Sequence, residues 1–239
     1  MAKIDGSTLV ARALEKEGTK HVFSVPGGPI GEILAAATHF DIRPIGVRHE
    51  QAAVFASAGY AFVGNTVGVS VLAAGPGVTN SVTGAHVAFD NCIPAVILGG
   101  SGPLKGHLTG TFQETDQVPL FRTVTKLAAQ VKNTERIPEY IALAFRKARA
   151  GRPGPVYLDL PSDVLHTEVE EEEVTWPARG LDARPAANPE LVKRAAELLL
   201  KAERPMVIVG KGARWSEPVA DLTKLVESLG MPFLPSPMG

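Results

Sequence analysis

Several things that the sequence lacks exclude whole classes of protein. It has one cysteine, Cys92, so it cannot form an intrachain disulfide, and a reducing compartment fits. It has no basic tract, and its net charge of −1 argues against nucleic acid or a membrane surface as a partner. No apolar run approaches the roughly 18 residues of a membrane span. The first ten residues do not resemble a signal peptide, and we expect a cytoplasmic protein.

The composition is that of an ordinary globular protein. Hydrophobic residues make up 45% of the chain and charged residues 21%. The 239 residues are enough for one large domain, or for one domain and part of another.

Strand-like and helix-like patterns alternate through the first two thirds of the sequence. The run 67–75 is almost continuously apolar, which is typical of a parallel strand buried on both faces. We predict strands at 21–25, 42–47, 67–75, 94–100, 124–131 and 155–161, and helices at 5–18, 30–38, 51–63, from 80 to about 91, and at 135–150. This order predicts an α/β fold, a doubly wound and mostly parallel sheet.

The composition changes near residue 167. The stretch 167–188 contains four consecutive glutamates and little periodicity, so we predict a linker with a solvated acidic surface. A second α/β pattern follows, with helices at 190–202 and 216–229 and strands at 205–210 and 232–235. We therefore divide the chain into a first domain (1–166), a linker (167–188) and an incomplete second domain (189–239). One or two strand–helix repeats cannot bury both faces of a sheet, so we expect a fragment or a chain that needs a partner.

The loops after the predicted strands should share one edge of the sheet, where ligands of such sheets usually bind. One of these loops contains His49 and Glu50 at the start of a helix. A zinc-binding HExxH motif is a poor interpretation, because the second histidine position holds Ala53. An acidic residue at a helix N-terminus is the simple alternative. A nucleotide-binding dehydrogenase is also disfavoured, because Trp215 replaces the last glycine of a GxGxxG motif.

Six short motifs, in this order and spacing, resemble the N-terminal pyrimidine-binding domain of thiamine-diphosphate enzymes of the acetolactate synthase superfamily. They are PGG (26–28), RHEQAA (48–53), GPGVTN (75–80), GTFQETDQ (110–117), VTK (124–126) and GRPGPVYLDLPSDV (151–164). The resemblance covers about residues 3–165. The segment from 204 is similar to the start of the central domain of 2-hydroxyacyl-CoA lyases and oxalyl-CoA decarboxylases, whereas PGG is more like acetolactate synthase.

The resemblance implies a thiamine-diphosphate-dependent lyase or carboligase acting on a 2-oxo acid or an acyl-CoA substrate. In this family the cofactor binds between two subunits, and a C-terminal domain holds its diphosphate through Mg²⁺ with a Gly-Asp-Gly motif. That motif is not found in this sequence. We therefore expect a homodimer or homotetramer, or a partner chain that carries the diphosphate-binding domain, and an inactive chain when alone. The alternative is a non-catalytic module that pairs with such a partner.

The resemblance also implies roles for individual residues. Glu50 would share a proton with the aminopyrimidine ring, and Gln113 would reach the cofactor-bound intermediate, so both are implied as catalytic residues. His49 would be a structural residue or a proton carrier, and Asn80 would cap a helix or steady Glu50. The implied cofactor-binding residues are Pro26, Gly27, Gly28, Glu50, Pro76 and Asn80, and those implied beside the substrate are Phe112 and Lys126.

Overall fold

A computed structural model describes residues 2–179 and 186–238 of the protein. The chain divides into two compact units, Met1–Asp182 and Ala183–Gly239. The strands are β1 (Lys3–Asp5), β2 (His21–Val25), β3 (Arg43–Gly46), β4 (Gly68–Leu72), β5 (Ala95–Ser101), β6 (Leu127–Gln130), β7 (Pro155–Pro161), β8 (Glu168–Glu170), β9 (Val207–Val209) and β10 (Phe233–Pro235). The helices are α1 (Gly6–Lys16), α2 (Gly31–Ala37), α3 (Glu50–Gly64), α4 (Pro76–Asn80), α5 (Val82–Asp90), α6 (Gln117–Arg122), α7 (Ile137–Arg149), α8 (Ser162–His166), α9 (Pro189–Lys201), α10 (Lys211–Ser216) and α11 (Val219–Leu229).

The first unit is built on a six-stranded parallel sheet in the order β3-β2-β4-β5-β7-β6. This confirms the predicted doubly wound α/β fold. The predicted strands 21–25 and 155–161 have the observed bounds, and the other strand predictions in this unit overlap observed strands. Every residue of β4, β5 and β7 is buried, which explains their continuous apolar sequences.

Alternate residues of the central strands contribute to two cores, one on each face of the sheet. In β7, Val156, Leu158 and Leu160 join the core under α1, α2 and α7. Tyr157, between them, joins the core under α3, α5 and α6. Each large apolar side chain that is fully buried in these cores contributes about 1.5–3 kcal/mol. Packing in these cores fixes the positions of α3 and α4, whose first residues form part of the candidate site described below.

Helix α3 packs unusually close to the sheet because small residues line the contact. A Cβ placed on Gly68 of β4 would lie 2.1 Å from the carbonyl oxygen of Ser57. A Cβ placed on Gly84 of α5 would lie 2.7 Å from the Cβ of Val54. These close approaches require glycine and fix the axis of α3.

The segment predicted as a linker from residue 167 begins inside the first unit. Strand β8 pairs with β1 in an antiparallel ribbon. Val174 is buried, and Arg12 lies 4.7 Å from the ring centroid of Trp176. The first domain therefore extends beyond the predicted boundary at residue 166. The sequence analysis missed this because strands of three residues carry too little periodicity to be predicted. The later part of the predicted linker, residues 180–185, lies outside the described residues.

The second unit contains α9, a parallel pair of strands (β9 and β10), α10 and α11. Helix α10 forms between the predicted strand 205–210 and the predicted helix 216–229, where the sequence analysis predicts no helix. Several apolar side chains of this unit are largely exposed, including Leu198, Ile208 and Phe233. In the described ranges of both units, no helix has the length and hydropathy needed to cross a membrane.

Candidate functional site

Glu50 is the first residue of α3, directly after the loop that follows β3. The preceding residue, His49, has an extended backbone, and its Nδ1 accepts a hydrogen bond of 3.2 Å from the backbone N–H of Gln51. His49 therefore caps the helix, which gives it a structural role. Because the helix dipole is positive at this end, the Glu50 carboxylate lies where a negative charge is favoured.

The Glu50 carboxylate is held by α4, the helix that follows β4. The Nδ2 of Asn80 donates a hydrogen bond of 3.0 Å to Oε2 of Glu50. The other oxygen, Oε1, lies over Gly77, where an added Cβ would be 3.3 Å away. Of the two roles considered for Asn80, the structure shows the contact with Glu50. The carboxyl group is half-buried, so it is oriented by the protein and still accessible.

The turn of Pro26, Gly27 and Gly28 follows β2 and lies against the end of β4. A Cβ on Gly27 would be 2.7 Å from the Cβ of Ala73. The carbonyl oxygen of Gly28 accepts a hydrogen bond of 3.1 Å from the N–H of Ala74. Pro26 and Gly28 are exposed. The turn therefore presents its backbone at the same edge of the sheet as Glu50.

The loop after β5 brings Gln113 to the start of α4. Gly75, which precedes Pro76, has φ +60, and a Cβ there would lie 2.5 Å from the carbonyl oxygen of Gln113. Gln113 itself has φ +59. The neighbouring Phe112 is 87% exposed. The structure therefore brings Gln113 against the α4 turn through its backbone and leaves Phe112 projecting from the loop.

Glu114 stabilises this loop from within. Its carboxylate accepts hydrogen bonds from the backbone N–H groups of Leu108, Gly110 and Thr111. These bonds, that of Leu108 first, lower the pKa of Glu114. The sequence analysis did not anticipate this role, because a glutamate in a polar loop resembles an ordinary surface charge.

Lys126 is not brought to the Glu50 site within this chain. It precedes β6, and its backbone N–H donates a bond of 2.8 Å to the carbonyl oxygen of Pro155, the first residue of β7. Its Nζ donates to the carbonyl oxygen of Ala150. Burial first, and then nearby Lys147, lower the pKa of Lys126. Since the strands are parallel, their amino ends lie at the edge opposite Glu50. Lys126 is therefore not beside Glu50 within this chain, and its place beside the substrate stays a prediction.

The sequence analysis did not predict a buried polar network that lies at the carboxyl ends of β5 and β7. Gln117 and Asp159 are each 2% exposed. Asp159 accepts hydrogen bonds from Gln117, from the hydroxyl groups of Tyr157 and Ser101, and from Gln130. The available signal was the carboxylate of Asp159 inside the otherwise apolar run 155–161, since a buried carboxylate requires several donors.

A cavity of about 270 Å³ lies beneath the loop, with the buried network in its wall. Its lining includes Ser101, Thr111, Gln117, Gln130, Lys132 and Asp159. Within 2–179 and 186–238, no group of three His, Cys, Asp or Glu side chains could hold a metal ion.

A half-buried carboxylate lies beside glycine turns at the edge formed by the carboxyl ends of the strands. This arrangement defines a ligand-binding α/β domain. Comparison with known protein families identifies which one. Residues 4–120 match the profile of the thiamine pyrophosphate enzyme, N-terminal TPP binding domain, and residues 192–239 match that of the central domain of thiamine pyrophosphate enzymes. The chain belongs to the thiamine pyrophosphate enzyme family, as the motifs predicted.

Relatives of two kinds are similar to the chain over almost its whole length. The 2-hydroxyacyl-CoA lyase of Oryza sativa subsp. japonica is 37% identical over 247 residues, which cover 99% of this chain and 43% of the relative. The acetolactate synthase isozyme 3 large subunit of Escherichia coli (strain K12) is 39% identical over 246 residues, which cover 100% of this chain and 42% of the relative. The chain thus spans about two fifths of the length of these relatives.

Proposed function

We propose that this chain binds and activates the aminopyrimidine ring of thiamine diphosphate in an enzyme that makes or breaks a C–C bond next to a carbonyl. The observation that carries the proposal is the contact between Asn80 and Glu50, which orients a half-buried carboxylate at the ligand-binding edge of the sheet. Membership of the thiamine pyrophosphate enzyme family supplies the identity of the cofactor.

The residues around Glu50 fit a flat heteroaromatic ring. Gly27 has no room for a Cβ, and a Cβ on Gly77 would be only 3.3 Å from Oε1 of Glu50. Both positions therefore keep bare backbone beside the carboxylate. A Cβ on Gly28 would meet no atom of the described residues within 4 Å, so this side of the turn is open. Pro26 and Pro76 are exposed at the ends of the same two turns. A ring nitrogen is a suitable hydrogen-bond partner for the Glu50 carboxyl group.

Each of these side chains has a distinct task in the proposed mechanism. Asn80 occupies Oε2 of Glu50, which leaves Oε1 to share a proton with the ring nitrogen N1′. When bound, thiamine diphosphate supplies the electron sink for breaking or forming the C–C bond. Gln113 and the exposed Phe112 contact the substrate from the loop, since an exposed aromatic side chain on a long loop usually meets a ligand or a partner.

The diphosphate and Mg²⁺ are held outside this chain in the proposal, and the chain alone is therefore inactive. One observation supports this. The chain covers 43% of the rice relative and 42% of the bacterial one, so these relatives have further regions that could hold a diphosphate. The same observation fits the second candidate function, a non-catalytic module that works only with a separate diphosphate-binding chain.

The proposed substrates are a 2-oxo acid or a 2-hydroxyacyl-CoA or oxalyl-CoA thioester, because the relatives include acetolactate synthases and 2-hydroxyacyl-CoA lyases. We propose a homodimer or homotetramer as the working assembly. The exposed apolar side chains of Phe55 and Val87, on the adjacent helices α3 and α5, support a subunit contact.

The substitution Glu50→Gln in the full-length protein tests the proposal. Glutamine keeps the size of the side chain but cannot share a proton, so we expect kcat to fall by at least about 100-fold at saturating cofactor. The assays follow pyruvate consumption and 2-hydroxyacyl-CoA cleavage. Glu32→Gln is the matched control, because Glu32 also lies in the first turn of a helix, and it should keep wild-type activity. Normal activity of Glu50→Gln would refute the proposal.

Calorimetric titration of this chain with thiamine diphosphate and Mg²⁺ separates the two candidate functions. The proposal expects no measurable binding by the isolated chain, and binding once the diphosphate-binding part is present. If the complete assembly binds cofactor but shows no turnover of either substrate class, the non-catalytic module is the correct function. Binding by the isolated chain that is lost in Glu50→Ala would show that this unit holds the diphosphate itself.

A further inference from the structure

Gln117 connects the interior of the sheet to the Glu50 site. It is the first residue of α6, and its side chain lies between three elements: the start of α4, the end of β5 and the end of β7. The side chain is 2% exposed, so its amide must find its hydrogen-bond partners within the protein.

The surroundings of the Gln117 amide determine which way it points. Its Nε2 faces three acceptors: the carbonyl oxygen of Gly100 at 2.9 Å, the hydroxyl of Tyr157 at 3.0 Å and the carboxylate of Asp159. Tyr157 donates its own proton to Asp159, so its hydroxyl has an acceptor site to offer Gln117. Burial, and after it the Asp159 charge, raise the pKa of Tyr157 well above its usual value, which keeps that proton in place. In the flipped orientation the amide oxygen, which cannot donate a hydrogen bond, would face these three acceptors. The observed orientation is therefore the favoured one.

With the amide held in this way, its oxygen points at one backbone donor. Oε1 accepts a hydrogen bond of 2.7 Å from the N–H of Gly75. Gly75 is buried and is the N-cap residue of α4. The next residue, Pro76, has no N–H, so Gly75 carries the last backbone donor before the helix, and Gln117 is its acceptor. Together with the bond from Ala74 N–H to the Gly28 carbonyl oxygen, this bond sets the direction of the chain entering α4.

The positions of two candidate site residues, Glu50 and Gln113, depend on the turn at Gly75. Downstream, α4 carries Gly77 under Oε1 of Glu50 and Asn80 bonded to its Oε2. Beside it, the backbone of Gln113 packs on Gly75 so closely that a Cβ there would be 2.5 Å from the Gln113 carbonyl oxygen. A shift of Gly75 would move Gln113 and change the orientation of the Glu50 carboxylate.

We propose that Gln117 is a positioning residue for the reaction: anchored by Asp159, it holds the Gly75 turn so that Glu50 and Gln113 keep their relative geometry. The inference rests on the proposed function of Glu50. Gln117 contacts neither cofactor nor substrate in this arrangement, so its effect on catalysis passes through α4 and the loop.

Three variants of the full-length protein test the proposal. Gln117→Met keeps the length of the side chain and removes its hydrogen bonds. Gln117→Glu keeps the acceptor for Gly75 but must be protonated to donate to Asp159, and its burial beside that carboxylate favours protonation. Gln130→Met is the matched control, because Gln130 also donates to Asp159, at 2.8 Å, but does not bond to Gly75.

The first readout is amide hydrogen exchange without cofactor, which reports the turn independently of activity. In Gln117→Met we expect exchange at residues 74–82 and 107–116 to rise at least about tenfold, since a buried N–H loses its acceptor. Strand β4 should be unchanged, and so should both segments in Gln130→Met. Equal exchange in Gln117→Met and the wild type would overturn the proposal, and so would an equal rise in Gln130→Met.

The second readout separates kcat from KM as a function of pH. Gln117→Met should lower kcat about tenfold and leave KM within about threefold. The reason is that the variant changes the orientation of Glu50 and Gln113 and removes no group that binds substrate. Gln117→Glu should be impaired near pH 8 and recover toward wild type near pH 6, as its carboxyl group takes up a proton. If Gln117→Met does not fold, the pH-dependent recovery of Gln117→Glu decides alone, and a profile parallel to that of the wild type would overturn the proposal.

The failure of this inference differs from a failure of the proposed function. If Glu50→Gln stays fully active while Gln117→Met loosens residues 74–82, the role of Glu50 is wrong although the turn is anchored as described. If Glu50→Gln is inactive and Gln117→Met keeps normal kcat despite faster exchange, Glu50 has its proposed role and Gln117 does not position it.

Discussion

The substitution Gly75→Ala tests how closely the loop at Gln113 must approach the start of α4. Gly75 has φ 60 and ψ −112, a conformation that residues with a Cβ rarely adopt. The new methyl group would lie 2.5 Å from the carbonyl oxygen of Gln113 and 2.9 Å from its Cβ. The contacted atoms belong mainly to the backbone, so the loop itself has to move.

The two effects give the expected magnitude. Backbone strain at such a position costs about 1–3 kcal/mol. Relieving the contact with Gln113 by a shift of the loop adds roughly 1 kcal/mol, the lower end for an overpacked site, because the loop is largely exposed. We therefore expect the free energy of unfolding to fall by about 3 kcal/mol, or about 6–12 °C in Tm for a unit of this size.

Gly151→Ala is the matched control. Gly151 also has φ +60, and a Cβ there would meet no atom of the described residues within 4 Å. This variant has strain without a clash and should lose about 1–2 kcal/mol. Urea denaturation followed by the fluorescence of Trp176, in a Trp215→Phe background, reports the first unit alone. Hydrogen exchange at 107–116 should rise in Gly75→Ala and stay unchanged in Gly151→Ala.

One result would refute this reasoning. If Gly75→Ala costs no more than Gly151→Ala and leaves exchange in the loop unchanged, the loop is not packed on the turn. The link between Gln113 and α4 would then be absent, and Gln113 would have to reach the site in some other way.

Two further predictions concern the groups with shifted pKa values. Tyr157→Phe should cost about 2 kcal/mol at neutral pH, since the hydroxyl donates to a charged carboxylate. Because burial raises the pKa of Tyr157, its contribution to stability is complete below about pH 10 and falls as the pH rises toward the folded pKa; urea melts of Tyr157→Phe should lack this component. The lowered pKa of Glu114 gives the opposite dependence: its stabilisation of the loop is present above pH 4.5 and is lost as the pH falls through the folded pKa. Limited proteolysis should therefore cleave near Leu108 faster in acid, and in Glu114→Gln already at neutral pH; cleavage independent of pH would contradict the role of Glu114.

The elements of the first unit that the sequence predicted well are those with strong local signals. Strand 155–161 and helix α3 have continuous apolar or small-residue patterns, and their types were correct. The strands β1 and β8 were missed because three residues carry no periodicity and because each is stabilised by pairing with the other across more than 160 positions of the chain. Helix α6 was missed within a polar loop because its start depends on the burial of Gln117.

For the candidate site, the sequence predicted Glu50, Asn80 and the glycine turns because motif order places them after strands that share one edge, and the structure places them at that edge. It could not separate the two roles considered for Asn80, since its distance from Glu50 depends on how α3 and α4 pack. It placed Lys126 inside a strand predicted at 124–131, whereas β6 begins at Leu127, so Lys126 lies at the amino end of that strand. The exact start of a strand depends on its pairing with β7, which the sequence does not show.

The sequence by itself determined the alternation of elements, the parallel sheet, the family and the carboxylate at the start of α3. These follow from apolar periodicity and from short motifs, which act over a few residues. The tertiary structure decided which side chains meet: the Asn80–Glu50 contact, the orientation of Gln117 between Gly75 and Asp159, and the position of Gln113. The physical reason is that polar groups must bond to whichever partners the packing of the two cores brings together. Gln117 lies 42 positions from both Gly75 and Asp159 along the chain, a separation that no local pattern reveals.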